Sequence, residues 1–199
     1  MPQLTVAHDV VCPWCWVARR QAERLRAEFP SISYRWIGYE LLPEGLPYKP
    51  APPDPDAARK PRIPNRFELF LAAESAVVPK RSRGVSNSRL ALEGGEFAWE
   101  AGRQEPYLDA LYHAYWEEDR DIADRSVLDD IAGSAHLDVP AFRAALEGRA
   151  YRDRIVEFDE PAHAAGVWNV ATWMFPEEWI AEQTYPVIRG LAARFVAES

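Results

Sequence analysis

The chain opens on a short apolar run, Leu4-Thr5-Val6-Ala7-His8-Asp9-Val10-Val11, which reads as a strand. Trp16 to Phe29 reads as a helix, and Ile32, Tyr34 and Trp36 alternate with Ser33, Arg35 and Ile37 in a second strand, Ile32 to Tyr39. Strand, helix and strand make a β-α-β unit, which predicts parallel strands and a right-handed connection. The pattern then breaks. Pro43, Pro47, Pro50, Pro52, Pro53, Pro55, Pro61 and Pro64 predict an extended linker. Helical spacing returns near 65–78, 87–102, 106–118, 126–135, 140–148 and 151–165. Ser126 with Asp129 three residues on is close to a capping box, and Pro106 and Pro140 fall where first-turn prolines belong. Near the end, residues 170–174 and 178–181 flank Phe175-Pro176-Glu177 and predict a hairpin. A last helix, Tyr185 to Val196, follows Thr184 as its cap.

Apolar residues make up 48% of the 199, enough for a substantial core in one large domain or a domain with an insertion. The net charge of −8 argues against non-specific nucleic-acid binding, which needs a basic surface. No run is as long as a membrane span, and residues 1–3 lead straight into the first strand without a signal-peptide pattern. A cytoplasmic address is therefore expected. In that compartment a lone Cys-x-x-Cys points to redox chemistry or metal binding, since structural disulfides are kept reduced.

The candidate chemistry is Cys12-Pro13-Trp14-Cys15, which holds the only two cysteines of the chain. It falls between the first strand and the helix. A cysteine there meets unpaired N–H groups and the positive end of the helix dipole, which favour thiolate over thiol. Pro13 gives up an N–H that had no partner in any case. Cys15, three residues on, shares the helical face of Cys12 and is placed to close a disulfide with it. Cys12 is expected to attack and Cys15 to resolve the mixed disulfide.

With the order β-α-β, helices, β-β-α, the chain resembles a thioredoxin-like α/β fold with a large all-helical insertion. Asp9-Val10-Val11-Cys12-Pro13-Trp14-Cys15-Trp16 is similar to the opening of the DsbA-like family, in particular its FrnE-like branch. So are Trp36 with Tyr39-Glu40-Leu41-Leu42-Pro43-Glu44-Gly45, Asp121-Ile122-Ala123-Asp124 with Val127-Leu128, and Gly166-Val167-Trp168-Asn169-Val170-Ala171-Thr172-Trp173. The branch is related to 2-hydroxychromene-2-carboxylate isomerase and kappa-class glutathione transferases. The resemblance implies a thioredoxin-like domain over 1–60 and 166–199, an inserted helical domain over 61–165, and thiol–disulfide exchange without a bound cofactor. It places substrate at Pro13, Trp14, Val170 and Ala171. The implied partner is a thiol or disulfide, protein or small molecule, glutathione included. Nucleic acid and membrane are not expected, and a homodimer is left open.

Two positions depart from the family pattern. Ala171 stands where the family has a cis-proline, and a cis bond before a non-proline residue costs roughly 2.5–4 kcal/mol. A trans or strained Val170–Ala171 peptide is therefore expected, with an altered substrate shelf. Leu92 stands near a frequent family histidine. Three alternatives stay open. Two thiolates are half a zinc site, although His8, His113, His136 and His163 are scattered. The fold can also persist as a binding protein with weak redox activity. A glutathione-dependent transferase or isomerase is the third, disfavoured because that group usually has serine at the Cys12 position.

Among the aromatics, Trp14 and Trp168 are the candidates for an apolar groove, whereas Trp16 and Trp173 are expected in the core. Tyr107, Tyr112, Tyr115 and Trp116, at helical spacing, are also expected there. His8 and Asp9, four and three residues before Cys12, are candidates to move a proton during exchange, on opposite strand faces so that at most one approaches the thiols. The favoured expectation is that Asp9 satisfies backbone groups at the strand end and that His8 is hydrogen-bonded and half-buried. Lys80-Arg81-Ser82-Arg83-Gly84 is expected to be a solvated loop.

Overall fold

The computed structural model describes residues 2–43, 64–158 and 160–199. Apart from its end residues, the expected proline-rich linker lies outside them. β1 (Gln3–His8), α1 (Pro13–Glu28) and β2 (Ser33–Glu40) form the opening unit. β1 and β2 pair in parallel, with Val6 opposite Trp36, as the β-α-β reading requires. Leu4, Val6, Tyr34 and Trp36 are buried, so the period-2 alternation does mark the core face.

Five helices follow: α2 (Arg66–Glu74), α3 (Arg89–Glu100), α4 (Gln104–Trp116), α5 (Arg125–Ser134) and α6 (Val139–Glu147). The helix predicted over 151–165 is broken. Its place is taken by a 3-10 turn (Arg152–Arg154), a short strand β3 (Val156–Glu157) and a short helix α7 (Glu160–Ala164). The reason is tertiary: Val156 and Glu157 pair in parallel with Tyr39 and Glu40 at the end of β2. The predicted hairpin is present as β4 (Thr172–Met174) and β5 (Trp179–Ala181), and α8 (Tyr185–Ala197) closes the chain. β4 runs antiparallel on the other side of β1, giving one sheet in the order β3-β2-β1-β4-β5.

On the edge away from β1, Trp36 has no strand neighbour among the described residues, because β3 reaches only Tyr39 and Glu40. Buried backbone groups need partners, and the Gln104 side chain supplies them. Its Oε1 accepts from Trp36 N at 3.0 Å, and its Nε2 donates to Trp36 O at 2.8 Å. A first-turn side chain of α4 thus stands in for a missing strand.

Two caps differ from expectation. α5 is capped by Asp124, whose carboxylate accepts from Ser126 N, rather than by Ser126. Thr184 makes no side-chain cap to α8. Instead, Glu74 at the end of α2 reaches across to accept from Tyr185 N at 2.6 Å. The Lys80–Gly84 loop is also tied down. The Arg81 guanidinium packs 3.5 Å from the Tyr115 ring centre and bonds the Tyr115 carbonyl, and Ser82 and Arg83 donate to the Asp119 carboxylate. The loop folds onto α4 because a carboxylate and a ring face are there to receive it. Among the described residues no helix is long and apolar enough to cross a membrane.

Candidate active site

Cys12 is the N-cap of α1, with extended backbone and no capping bond from its own side chain. Its carbonyl accepts from Cys15 N and Trp16 N, the first bonds of the helix, and Pro13 occupies the first turn as expected. The Cys12 thiol is 4% exposed and donates to the Val170 carbonyl at 3.3 Å. Cys15, fully buried one turn on, accepts from Asp9 N at 3.4 Å. Burial pushes the Cys15 thiol well above its ordinary value, and the neighbouring Cys12 adds to the effect. Both cysteines are free thiols.

The loop before Cys12 is held from three sides. Asp9 is fully buried, and its carboxylate accepts from Val11 N, Leu41 N and Ser88 Oγ at 3.2, 2.8 and 3.0 Å. Burial raises its pKa to about 6, against the pull of those hydrogen bonds. From α4, Tyr112 donates to the Asp9 carbonyl at 3.3 Å and Trp116 Nε1 to the Val10 carbonyl at 2.8 Å. His8 Nδ1 lies 3.0 Å from the Tyr112 hydroxyl. His8 is fully buried rather than half-buried. Burial, with the charges of Arg19 and Arg35, lowers its pKa to about 3, so it is neutral.

Tyr112, Trp116 and Ser88 are the residues that sequence reasoning missed as parts of this site. Tyr112 and Trp116 are buried, as expected, but a buried phenol or indole needs a partner for its polar tip. Their i,i+4 spacing on one helix was the available signal, since it aims both tips the same way. Nothing local marks Ser88, which reaches Asp9 only through the packing of α3 on β2.

The expected substrate positions are gathered around the thiols. Val170 and Ala171 are buried, the former against Cys12. The Val170–Ala171 peptide is cis, which corrects the trans expectation. No proline ring sets the backbone here. Its neighbours do: Thr172 pairs with Ala7 and Ala181, and its hydroxyl bonds the Asn169 carbonyl. Trp14 is not an open groove wall. Its indole packs against Phe67 and Phe70 of α2, at ring-centre distances of 4.7 and 4.6 Å. Only about 10 Å³ of space remains between Trp14, Ala171 and Phe70. Trp16 and Trp173 are core, whereas Trp168 is 67% exposed and stacked on His163. Among the described residues no three His, Cys, Asp or Glu side chains gather as a metal site.

A family model described as a DSBA-like thioredoxin domain matches residues 3–168. The chain belongs to that family. It is 29% identical over 153 residues to the uncharacterized protein YwbO of Bacillus subtilis, covering 75% of this chain and 74% of that one. Among solved structures, a probable DsbA oxidoreductase from Streptomyces coelicolor matches with a TM-score of 0.74 at 22% identity, over 100% of this chain and 92% of that one. The cytosolic disulfide reductase DsbM of Pseudomonas aeruginosa, solved with GSH, matches with a TM-score of 0.61 at 17% identity, over 98% and 96%. At these identities the structures establish the DSBA-like fold, a thioredoxin fold with a helical insertion.

Proposed function

We propose that the protein is a cytoplasmic thiol–disulfide oxidoreductase. The reading is carried by the Cys12–Cys15 pair: an N-cap thiol at the start of α1 with a buried second thiol one turn behind it. The Cys12 thiolate attacks one sulfur of a substrate disulfide, forms a mixed disulfide and releases the first substrate thiolate. Cys15, once deprotonated, attacks Cys12 Sγ and releases the second. Two electrons pass from the pair to the substrate, and an external thiol returns the pair to the dithiol. The buried Cys15 thiol holds its proton tightly and needs a base. Asp9 is that base in this reading. Its main chain already touches Cys15 Sγ, and burial makes its carboxylate a better proton acceptor than an exposed one.

Pro13, Trp14, Val170 and Ala171 form the substrate side of the site in this proposal. Glutathione is the proposed small thiol, supported by the DsbM structure solved with GSH. The test is disulfide reduction by the purified protein. Cys12→Ser abolishes turnover, and Cys15→Ser accumulates a mixed disulfide visible by mass spectrometry. Wild-type turnover in both variants would exclude the mechanism.

A further inference from the structure

α1 carries four arginines, and their partners differ. Arg19 and Arg26 are paired with carboxylates of α4: Glu105 with both, Asp109 with Arg19. Arg24 lies over the Tyr185 ring, with Glu74 at 3.5 Å, and the other oxygen of that carboxylate already accepts from Tyr185 N. Arg20 has no ion-pair partner among the described residues. Its guanidinium lies over the Trp16 ring, 4.5 Å from the ring centre. Stacking on a ring face leaves the edge N–H groups of a guanidinium free to bind an anion.

Those edges border a space of about 620 Å³ between the outer face of α1 and the stretch that leaves α2, with Trp16, Val17, Arg20 and Arg24 on one side and Ala76 and Val77 on the other. This volume is within the range of small-molecule sites. Among the described residues the acids lining it are Glu74, committed to Tyr185 N, and Glu117, bonded to His113 at 3.1 Å. A neighbouring space of about 380 Å³ shares Trp16, Arg20 and Glu117 but is also lined by Glu23 and Asp109, so it is the less cationic of the two.

We propose that the larger space binds a small organic anion: its apolar body against Ala76 and Val77, with a carboxylate or sulfonate on Arg20 and Arg24. This site lies on the outer face of α1, apart from the Val170 contact of Cys12, and does not rest on the thiol-exchange reading. The test is a fluorescence titration with 8-anilinonaphthalene-1-sulfonate on the wild type, Arg20→Gln, Arg20→Lys and Ala76→Trp. One-site binding by the wild type is expected. Arg20→Gln should weaken it by about tenfold or more, as for loss of a charged hydrogen bond. Arg20→Lys should recover part of the loss, and Ala76→Trp should block binding by filling the space. All four proteins should keep the same far-UV circular dichroism and disulfide-exchange rate. No binding by the wild type, unchanged affinity in Arg20→Gln, or full affinity in Ala76→Trp would each overturn the proposal.

Discussion

His8 and Asp9 are consecutive, both fully buried, and shifted in opposite senses. Neutral His8 takes up its proton in the unfolded chain near 6.5 but in the native state only near 3. That difference lowers stability as pH falls through the window. Asp9 does the reverse, because the native carboxyl is protonated near 6 and the unfolded one near 3.8. Its contribution raises stability as pH falls from about 6 to about 4. Each titration carries about 1.4 kcal/mol per pH unit where it acts, so the two nearly cancel there. His8→Asn removes one side of the balance. It should gain about 1.4 kcal/mol per pH unit relative to wild type between pH 6 and pH 4, read from urea unfolding at pH 4, 5 and 6. An unchanged difference across that range would show that His8 is not buried neutral. The sequence marked both residues as neighbours of the thiols. It carried no sign of their burial, because that depends on α4 and α3 closing over the loop.

At the scale of elements, local pattern and long-range partner divide the work. The strand alternation at Tyr34 and Trp36 and the spacing of α3 to α6 were legible, since each buries a face that its own period defines. The break at 151–165 was not, because Val156 and Glu157 become strand only by meeting the end of β2. The cap of α8 was not either, for its acceptor belongs to α2. The Gln104 bridge is the sharpest case of a partner that no local rule supplies. Gln104→Ala leaves the Trp36 N–H and C=O without their partner, at about 1–3 kcal/mol for each buried group. A drop of about 3 kcal/mol in unfolding free energy is expected, measured by urea titration, with faster amide exchange at Trp36. Trp116→Phe should act more locally, loosening the Val10 carbonyl and slowing disulfide exchange more than it lowers stability.

Across the whole molecule, the middle segment is part of the site rather than an ornament on it. Ser88, Tyr112 and Trp116 hold the loop before Cys12, Phe67 and Phe70 cover Trp14, and Arg66 pairs with Glu182 beyond β5 at 2.7 Å. A chain joining 2–43 directly to 166–199 should therefore show no cooperative urea transition, although it keeps the cysteine pair and four of the five strands. A sigmoidal transition in that chain would show that the outer parts fold alone. The bond from Glu74 to Tyr185 also has an order in time. Glu74 is made 111 residues before the N–H it receives, so during synthesis the acceptor emerges first and the last helix emerges to meet it. A chain stopped short of α8 leaves that carboxylate, only 3% exposed once folded, with Arg24 as its remaining partner.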